Sequence, residues 1–420
     1  MYMVRLERAL EGSNIGFNLS YKQAGTVIEQ QLPGLFYADD IVLLANKQSD
    51  LQRLANICGQ EGNNLGLKFS VRKSGVIVFN ENSEQTVEIQ GQEIPRVTEY
   101  KYLGIWINEG NGYMETQEKI ITVKGKRNAA IMKHRALWGY NRYEVLRGMW
   151  KGVMVPGLTF GNAVVCFKSG VQSGLDGNQR SVGRLALGAH GKTTNEAVQG
   201  DMGWTSFEVR EARSKIEYEE RLRNMEESKW AGRVFRYLYR QNIDSQWRKR
   251  TRKLTSKYAA CGVGNTATKK VKRKVREAEL ISWVAAMEKK PAMSNYLRGK
   301  NEIRKETIYD NSKGSSLLFE ARSGCLRTRT YKARYKKEEE ACACCGKARE
   351  TTEHTLLECE DVYPAVDLGT TGLLEALGFS GSSGKANRSA IDISKRRLED
   401  WWKKSRETTK DGDVQKHSSQ

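Results

Sequence analysis

The sequence predicts an α+β fold: an antiparallel sheet with covering helices over residues 1–110, a mostly helical remainder, and a small metal-binding knuckle close to the C-terminus. Three observations carry this. Short apolar segments separated by turn residues fill Ile15 to Ile107, apolar residues recur at helical spacing from Met114 onward, and four of the eight cysteines crowd between Cys342 and Cys359.

The 420 residues leave room for several domains and ample cores. Lys plus Arg number 70 against 50 Asp plus Glu, a net charge of +20, and the pI is near 9.5. That excess points to a polyanionic partner, nucleic acid ahead of a membrane surface. No apolar run approaches the roughly 20 residues of a membrane span, and Met-Tyr-Met-Val-Arg-Leu-Glu-Arg lacks the apolar core of a signal peptide. Cys58, Cys166, Cys261 and Cys325 are scattered, which suits a reducing compartment with one metal site better than a disulfide framework.

In chain order, Met3, Leu6 and Leu10 share a helix face that Gly12-Ser13 ends. Strands are expected at Ile15–Tyr21 and Gly25–Gln31, with Lys22-Gln23-Ala24 as the turn. The segment Leu32 to Asn46 reads as strands Leu35–Ala38 and Ile41–Ala45 around Asp39 and Asp40. Two-residue hairpins favour glycine because the backbone must reach positive φ, and this turn has none. Two carboxylates walled in by Phe36, Tyr37, Ile41, Val42 and Leu43 would repel one another and resist desolvation, a conflict that a divalent cation such as Mg²⁺ resolves. The alternative is an exposed acidic turn.

A helix capped by Ser49 or Asp50 follows, with Leu51, Leu54, Ile57 and Cys58 on one face to cover the sheet. Gly66–Phe79 gives a further strand signal carrying Lys68, Arg72 and Lys73. Val87–Ile94 alternates around Gln90-Gly91 as a hairpin, and Tyr100–Ile107 reads as one buried strand in which Gly104 allows close backbone approach.

Beyond residue 110 the pattern is helical: Met114–His134, Tyr143–Val153, an interruption at Pro156-Gly157, then Leu175–Leu187. Lys124, Lys126, Arg127, Lys133 and Arg135 can touch phosphates or form a solvated face. From Arg221 to Arg252, Trp230, Phe235, Tyr237, Tyr239 and Trp247 interleave with basic residues, a mixture suited to single-stranded nucleic acid. The helical spacing of Phe235, Leu238 and Tyr239 favours core for those three. Gly262–Thr268 reads as a flexible joint. Lys269, Lys270, Lys272, Arg273, Lys274 and Arg276 then form a nuclear-localisation run or a nucleic-acid patch, heading a helix through Leu280, Trp283 and Met287.

Cys342, Cys345, His354 and Cys359 give a Cys-x₂-Cys-x₈-His-x₄-Cys array. Three thiolates and an imidazole at this spacing make a closed tetrahedral shell for structural zinc, with no open position for water. Cys344 is a spare thiol able to compete with Cys345. The tail carries Lys395 to Lys404 and a polar stretch from Glu407 expected to be disordered.

Phe36-Tyr37-Ala38-Asp39-Asp40 followed by an apolar strand resembles the palm motif of reverse transcriptases, and Ala-Asp-Asp-Ile-Val-Leu-Leu-Ala resembles the LINE-type, non-LTR branch. Val153–Gly161, Asn178–Gly188, Gly203-Trp204, Arg322-Ser-Gly-Cys-Leu-Arg and Glu350–Cys359 resemble, in order, the helices and zinc-binding segment after the palm of that family. The resemblance implies that Asp39 and Asp40 hold catalytic Mg²⁺, that Lys73 lies near the incoming nucleotide, and that Tyr37, Tyr102, Leu103 and Gly104 contact substrate or primer. For Lys73 the alternative is a solvated loop lysine. It also implies a partial palm at 1–110, a thumb at 111–215, a basic nucleic-acid-binding region at 216–335, a zinc knuckle at 336–365, and a terminal helix and tail at 366–420. The family's partners are an RNA template, a DNA target or primer and deoxynucleotides, with a nuclear location after a cytoplasmic ribonucleoprotein stage.

The family also needs a third carboxylate from an earlier palm strand, yet no aspartate precedes Asp39. The expectation is a fragment of an RNA-directed DNA polymerase that binds RNA and DNA but is inactive alone. The alternative is a non-catalytic nucleic-acid-binding zinc protein derived from one.

Overall fold

The N-terminal part is built from separate short hairpins, not from one continuous sheet. In the computed structural model, residues 2–23, 25–80, 86–110, 114–136, 140–258, 268–335, 339–366, 372–379 and 386–417 are described. Ten short strands pair as five antiparallel ribbons: β1 (Phe17–Asn18) with β4 (Gln31–Leu32), β2 (Tyr21–Gln23) with β3 (Thr26–Ile28), β5 (Gly34–Tyr37) with β6 (Asp40–Leu43), β7 (Val87–Ile89) with β8 (Gln92–Ile94), and β9 (Glu99–Tyr102) with β10 (Ile105–Asn108). Small antiparallel sheets followed by mostly helix is the expected α+β class.

Several boundaries differ from the sequence reading, each for a local reason. The first long hairpin reverses after Gln23, since β2 continues through Lys22 and Gln23 to pair with β3, and Gly25 supplies positive φ there. Tyr100–Ile107 is a hairpin and not one strand. Leu103 and Gly104 both have positive φ, the geometry of a tight primed turn, so the glycine serves the turn. Gln90-Gly91 turns the same way, as expected. Gly66–Phe79 is mostly irregular, with a 3₁₀ turn at Val71–Lys73 and a single bridge from Val76 to Arg96. The helix expected to start at Ser49 or Asp50 spans Gln48–Asn64, and Lys47 precedes it without a side-chain cap. The expected interruption at Pro156-Gly157 is instead absorbed in helix: Arg142–Met149 continues as a π-helical turn, Trp150–Met154, into Val155–Leu158 with the proline in its first turn. The joint expected at 262–268 lies outside the described residues except for Thr268. The terminal helix spans Arg388–His417, through the stretch expected to be disordered from Glu407.

The chain divides into two compact units. One comprises Met1–Ile121, Gly161–Lys168 and Ala212–Val271. Its N-terminal core joins Leu6 and Leu10 of the first helix to Leu54 and Cys58 of the second and to Ile89, with Phe36, Ile41 and Leu43 packed against them. Phe36 and Ile41 face each other across β5 and β6, so the acidic hairpin is anchored through its apolar side. Further along, Lys215 is fully buried and its ammonium donates to the carbonyls of Asn162 (3.0 Å) and Val165 (2.6 Å). Phe235 is buried, and Tyr239 and Trp247 pack on it. Arg248 and Arg223 lie over the Tyr239 ring, so these aromatics are engaged internally.

The second unit comprises Thr122–Phe160, Ser169–Glu211 and Lys272–Gln420. At its centre Asp201 is wholly buried. Its carboxylate accepts from the hydroxyls of Tyr296 (2.6 Å) and Tyr309, and from Nε of Arg322 (3.2 Å), with Lys300 Nζ at 3.6 Å. Glu306 pairs with both Arg322 and Lys300, making two acids and two cations. Burial pushes the Asp201 carboxyl up, and Arg322, then Lys300 and the two tyrosines, outweigh it and hold the carboxyl low.

The helix Thr268–Glu288 buries Val271, Val275, Glu279, Trp283 and Met287, one residue per turn. Glu279 accepts from Gln199 Nε2 (3.0 Å) and the Ser206 amide (3.0 Å), and burial raises its carboxyl to about 7.

Asp201→Ala leaves Arg322 and Lys300 to share Glu306 alone and should cost about 3–5 kcal/mol, read by chemical denaturation. Because the Glu279 carboxyl is raised in the folded state from an ordinary value of 4.5 to about 7, its contribution to stability is greatest below pH 4.5 and is lost as pH rises through 7. Glu279→Gln should therefore gain roughly 2–3 kcal/mol over the parent at pH 8 and little at pH 4.5, measured by melting across that range.

Candidate functional site

The acidic hairpin and the cysteine cluster lie in different units and are built differently. In the hairpin, Tyr37 pairs with Asp40, which leaves Ala38 and Asp39 as the two turn residues. Ala38 sits at φ 53°, a conformation that costs an alanine on the order of 1–2 kcal/mol and that glycine would occupy freely. The expected apolar wall is not there. Asp39 and Asp40 are exposed at the tip and Tyr37 is 64% exposed, because Phe36, Ile41 and Leu43 point to the core below.

Tyr102 is brought towards this tip. Burial raises its phenol first, and the Asp40 carboxylate adds to the rise. Leu103 and Gly104 form the neighbouring turn. Lys73 is exposed at the end of its 3₁₀ turn, where its carbonyl accepts from the Tyr100 hydroxyl. Among the described residues no ion pair or hydrogen bond joins Lys73 to either aspartate. Nor does a third carboxylate join the pair, since the sole group of three or more such ligands among those residues is the cysteine cluster. The described residues thus do not complete a three-carboxylate Mg²⁺ site, and no catalytic step is assigned to them.

Of the basic run, Lys270, Lys272, Arg273 and Arg276 are exposed on the helix Thr268–Glu288, Lys274 is half-buried, and the side chain of Lys269 lies outside the described residues. The Val271–Val275–Glu279 stripe turns the exposed members to solvent.

The cysteine cluster comes together as its spacing predicts. One ligand atom from each of Cys342, Cys345, His354 and Cys359 lies within 4.8 Å of the others. Cys342 Sγ is 3.8 Å from Cys359 Sγ, and Cys345 Sγ is 3.3 Å from His354 Nε2. The Cys342 carbonyl accepts the Gly346 amide (2.9 Å) and closes the knuckle turn, and the Cys342 amide donates to the Ala348 carbonyl (2.7 Å). His354 and Cys359 flank the π-helical turn His354–Glu358, where the Cys359 amide donates back to the His354 carbonyl (2.8 Å).

Three soft thiolates and one imidazole, mostly buried, fit zinc. His354 Nδ1 lies 3.4 Å from Glu358, an outer carboxylate that fixes Nε2 as the ligand atom. Burial pushes the Cys345 thiol up, but the amides of Lys347 and Ala348 and the His354 ring outweigh it and bring it to about 7. Cys344 is pushed up to about 12, by burial first, and lies outside the cluster. The geometry gathers Cys345, and not Cys344, with the other three ligands. These four side chains can hold a metal such as zinc.

Sequence reasoning missed the supports. Glu350 is buried, and its carboxylate accepts the amides of Arg329 (2.7 Å) and Ala343 (2.8 Å), tying the knuckle to the preceding helix. Glu358, four residues after His354, had a readable signal in that spacing. Arg397 had none.

Residues 10–107 match the family model for reverse transcriptase (RNA-dependent DNA polymerase). This supports a reverse transcriptase, and the matched segment contains the acidic hairpin, Lys73 and the Tyr102–Gly104 turn. No curated protein and no solved structure matches the chain. No helix among the described residues is long and apolar enough to cross a membrane.

Purified under reducing conditions, the chain should carry about one zinc. Cys345→Ser should weaken zinc by at least about tenfold, whereas Cys344→Ser should leave it unchanged, as read by elemental analysis and competition with a chromophoric chelator.

Proposed function

We propose that this chain is the later part of a LINE-type retrotransposon reverse transcriptase, one that holds RNA and DNA and does not polymerise by itself. The observation that carries the reading is the reverse-transcriptase match over residues 10–107 with Tyr37-Ala38-Asp39-Asp40 at a hairpin tip inside it. In this reading residues 1–110 are a partial palm, 111–215 a thumb, 216–335 a basic nucleic-acid-binding region, and 336–365 a zinc knuckle that assists template and target binding. Tyr37, Tyr102, Leu103 and Gly104 face primer or substrate. Asp39 and Asp40 hold Mg²⁺ only when a third carboxylate is supplied to them, and no aspartate precedes them in the sequence.

What favours binding without synthesis is the exposure of both aspartates together with the +20 charge. Exposed carboxylates without a third partner grip a cation weakly, while clustered Lys and Arg release counterions from phosphate whether or not chemistry follows. The basic run also suits the nuclear location expected of such an element.

The test is binding to single-stranded RNA across a salt series, alongside primer extension with Mg²⁺. Affinity should fall steeply with salt. Changing Lys270, Lys272, Arg273 and Arg276 together to alanine should flatten the log–log slope by about 3, at roughly 0.7 for each phosphate no longer neutralised. Extension should stay at background. Robust synthesis by the purified chain overturns the claim of incompleteness, and salt-independent binding overturns the nucleic-acid reading.

A further inference from the structure

Arg397 is a cation buried to 1% exposure with no carboxylate at ion-pair distance among the described residues. It lies on the terminal helix Arg388–His417. Its guanidinium donates to four backbone carbonyls: Nη1 to Val362 and Pro364 (2.6 Å), Nη2 to Cys359 (2.9 Å) and Thr355 (3.5 Å). All four follow His354 in the chain, and one belongs to a cluster cysteine. Nε has no partner among the described residues.

Two further residues on the same helix hold the same segment. Asp400 accepts the Tyr363 amide (2.9 Å), and Lys404 donates to the Asp361 carbonyl (2.6 Å) with its ammonium over the Tyr363 ring. Positions 397, 400 and 404 are spaced three and four apart, so one helix face clasps the segment that supplies His354 and Cys359.

Carbonyl dipoles, with the Asp400 carboxylate acting from beyond ion-pair distance, are a poor counterweight for a buried guanidinium. A better one is at hand. Zn²⁺ held by three thiolates and a neutral imidazole carries a net charge of −1, and the Cys359 carbonyl that accepts from Arg397 is part of that shell's own backbone. We propose that Arg397 is the counter-charge of the metal centre, and that metal loading and seating of the terminal helix are one coupled event. Arg397 is a positioning residue and touches no ligand atom. The inference rests on the zinc reading of the cluster.

Coupling has a direction at each end. Loading displaces the thiol protons, so neutral thiols become a zinc–thiolate shell of net charge −1 that favours Arg397 in its site, and chelation should loosen the helix. Conversely, removing Arg397 takes away the buried cation bonded to the Cys359 carbonyl, so zinc should bind less tightly.

The experiment uses the full chain. Zinc affinity is measured by competition with a chromophoric chelator, Co²⁺ substitution reports the shell's geometry, and limited proteolysis reads cleavage at Lys395 to Arg406 with and without chelator. The parent should bind one zinc, and chelation should expose the helix to cleavage, reversed on adding zinc. Arg397→Met should lose roughly 10- to 100-fold in zinc affinity. Arg397→Lys, which keeps the charge, should recover most of it. Leu398→Ala opens a cavity at a fully buried neighbour without removing the cation, and should lose less than Arg397→Met.

Wild-type affinity in Arg397→Met, equal losses in Arg397→Met and Leu398→Ala, or unchanged protection of the parent helix on chelation each overturns the proposal. The last readout needs no variant to fold. A parent that takes up no metal overturns the zinc reading and this proposal together, whereas a parent that binds zinc with Arg397→Met unmoved overturns this proposal alone.

Discussion

The second unit depends on a buried charge cluster, and its organisation follows from keeping that cluster neutral. Asp201 and Arg322 meet where water is excluded, with Lys300 buried beside them and Glu306 partly exposed at the edge, and an unpaired Asp201 or Arg322 there would be costly. Tyr296 and Tyr309 complete the carboxylate's hydrogen bonds, while Tyr143 donates to the Asp201 carbonyl and accepts the Glu306 amide. Residues from five separate stretches of chain, near 143, 201, 300, 309 and 322, are thereby held at fixed positions. Apolar packing of the same volume would stabilise as well, but it would not specify register so tightly. Arg322 also donates to the Leu377 carbonyl (2.7 Å), so the specification extends to the segment leading into the terminal helix.

At the knuckle, too, buried charged side chains hold the backbone. Glu350 receives the amides of Arg329, ahead of the knuckle, and of Ala343 within it, and Arg397 gathers carbonyls that follow His354. Glu350 and Arg397 are each less than 2% exposed. The backbone that presents the metal ligands is thus held by charged side chains, Glu350 ahead of His354 and Arg397 behind it. The acidic hairpin has no such support. Its apolar face is packed, but its tip carries a strained alanine and two solvated carboxylates.

That contrast tracks what was readable in the sequence. The cluster was legible because its ligands fall within eighteen residues and their spacing is set by local turn geometry. The Gln90-Gly91 hairpin was legible for the same reason, and the helices beyond residue 114 announced themselves by period. Tyr100–Ile107 was misread because two four-residue strands joined by a Leu-Gly turn look like one apolar run, although the positive φ that Gly104 permits was the available signal. Gly66–Phe79 had strand composition but pairs only through the single bridge at Val76, and β structure is decided by partners rather than propensity. Asp201, Glu279 and Arg397 were invisible. A lone charged residue gives no hint of burial until its long-range partners are known.

The apolar wall expected around Asp39 and Asp40 fails on the same ground, and its failure bears on function. Alternation along a hairpin puts every second side chain on the core face, so Phe36, Ile41 and Leu43 cannot shield the tip and pack the core at once. Desolvating the aspartates requires a surface from outside the hairpin. Tyr102 lies near enough for Asp40 to add to the rise of its phenol, yet both aspartates stay exposed. A polymerase site needs more: a third carboxylate and a nucleic-acid duplex over the tip to exclude water and bring phosphate oxygens to the metal. The strained turn is compatible with that use, since strain at a non-glycine position persists where the side chains serve something other than folding. Under the proposed function the hairpin is a partial site, and the carboxylate that would complete it is not among the described residues.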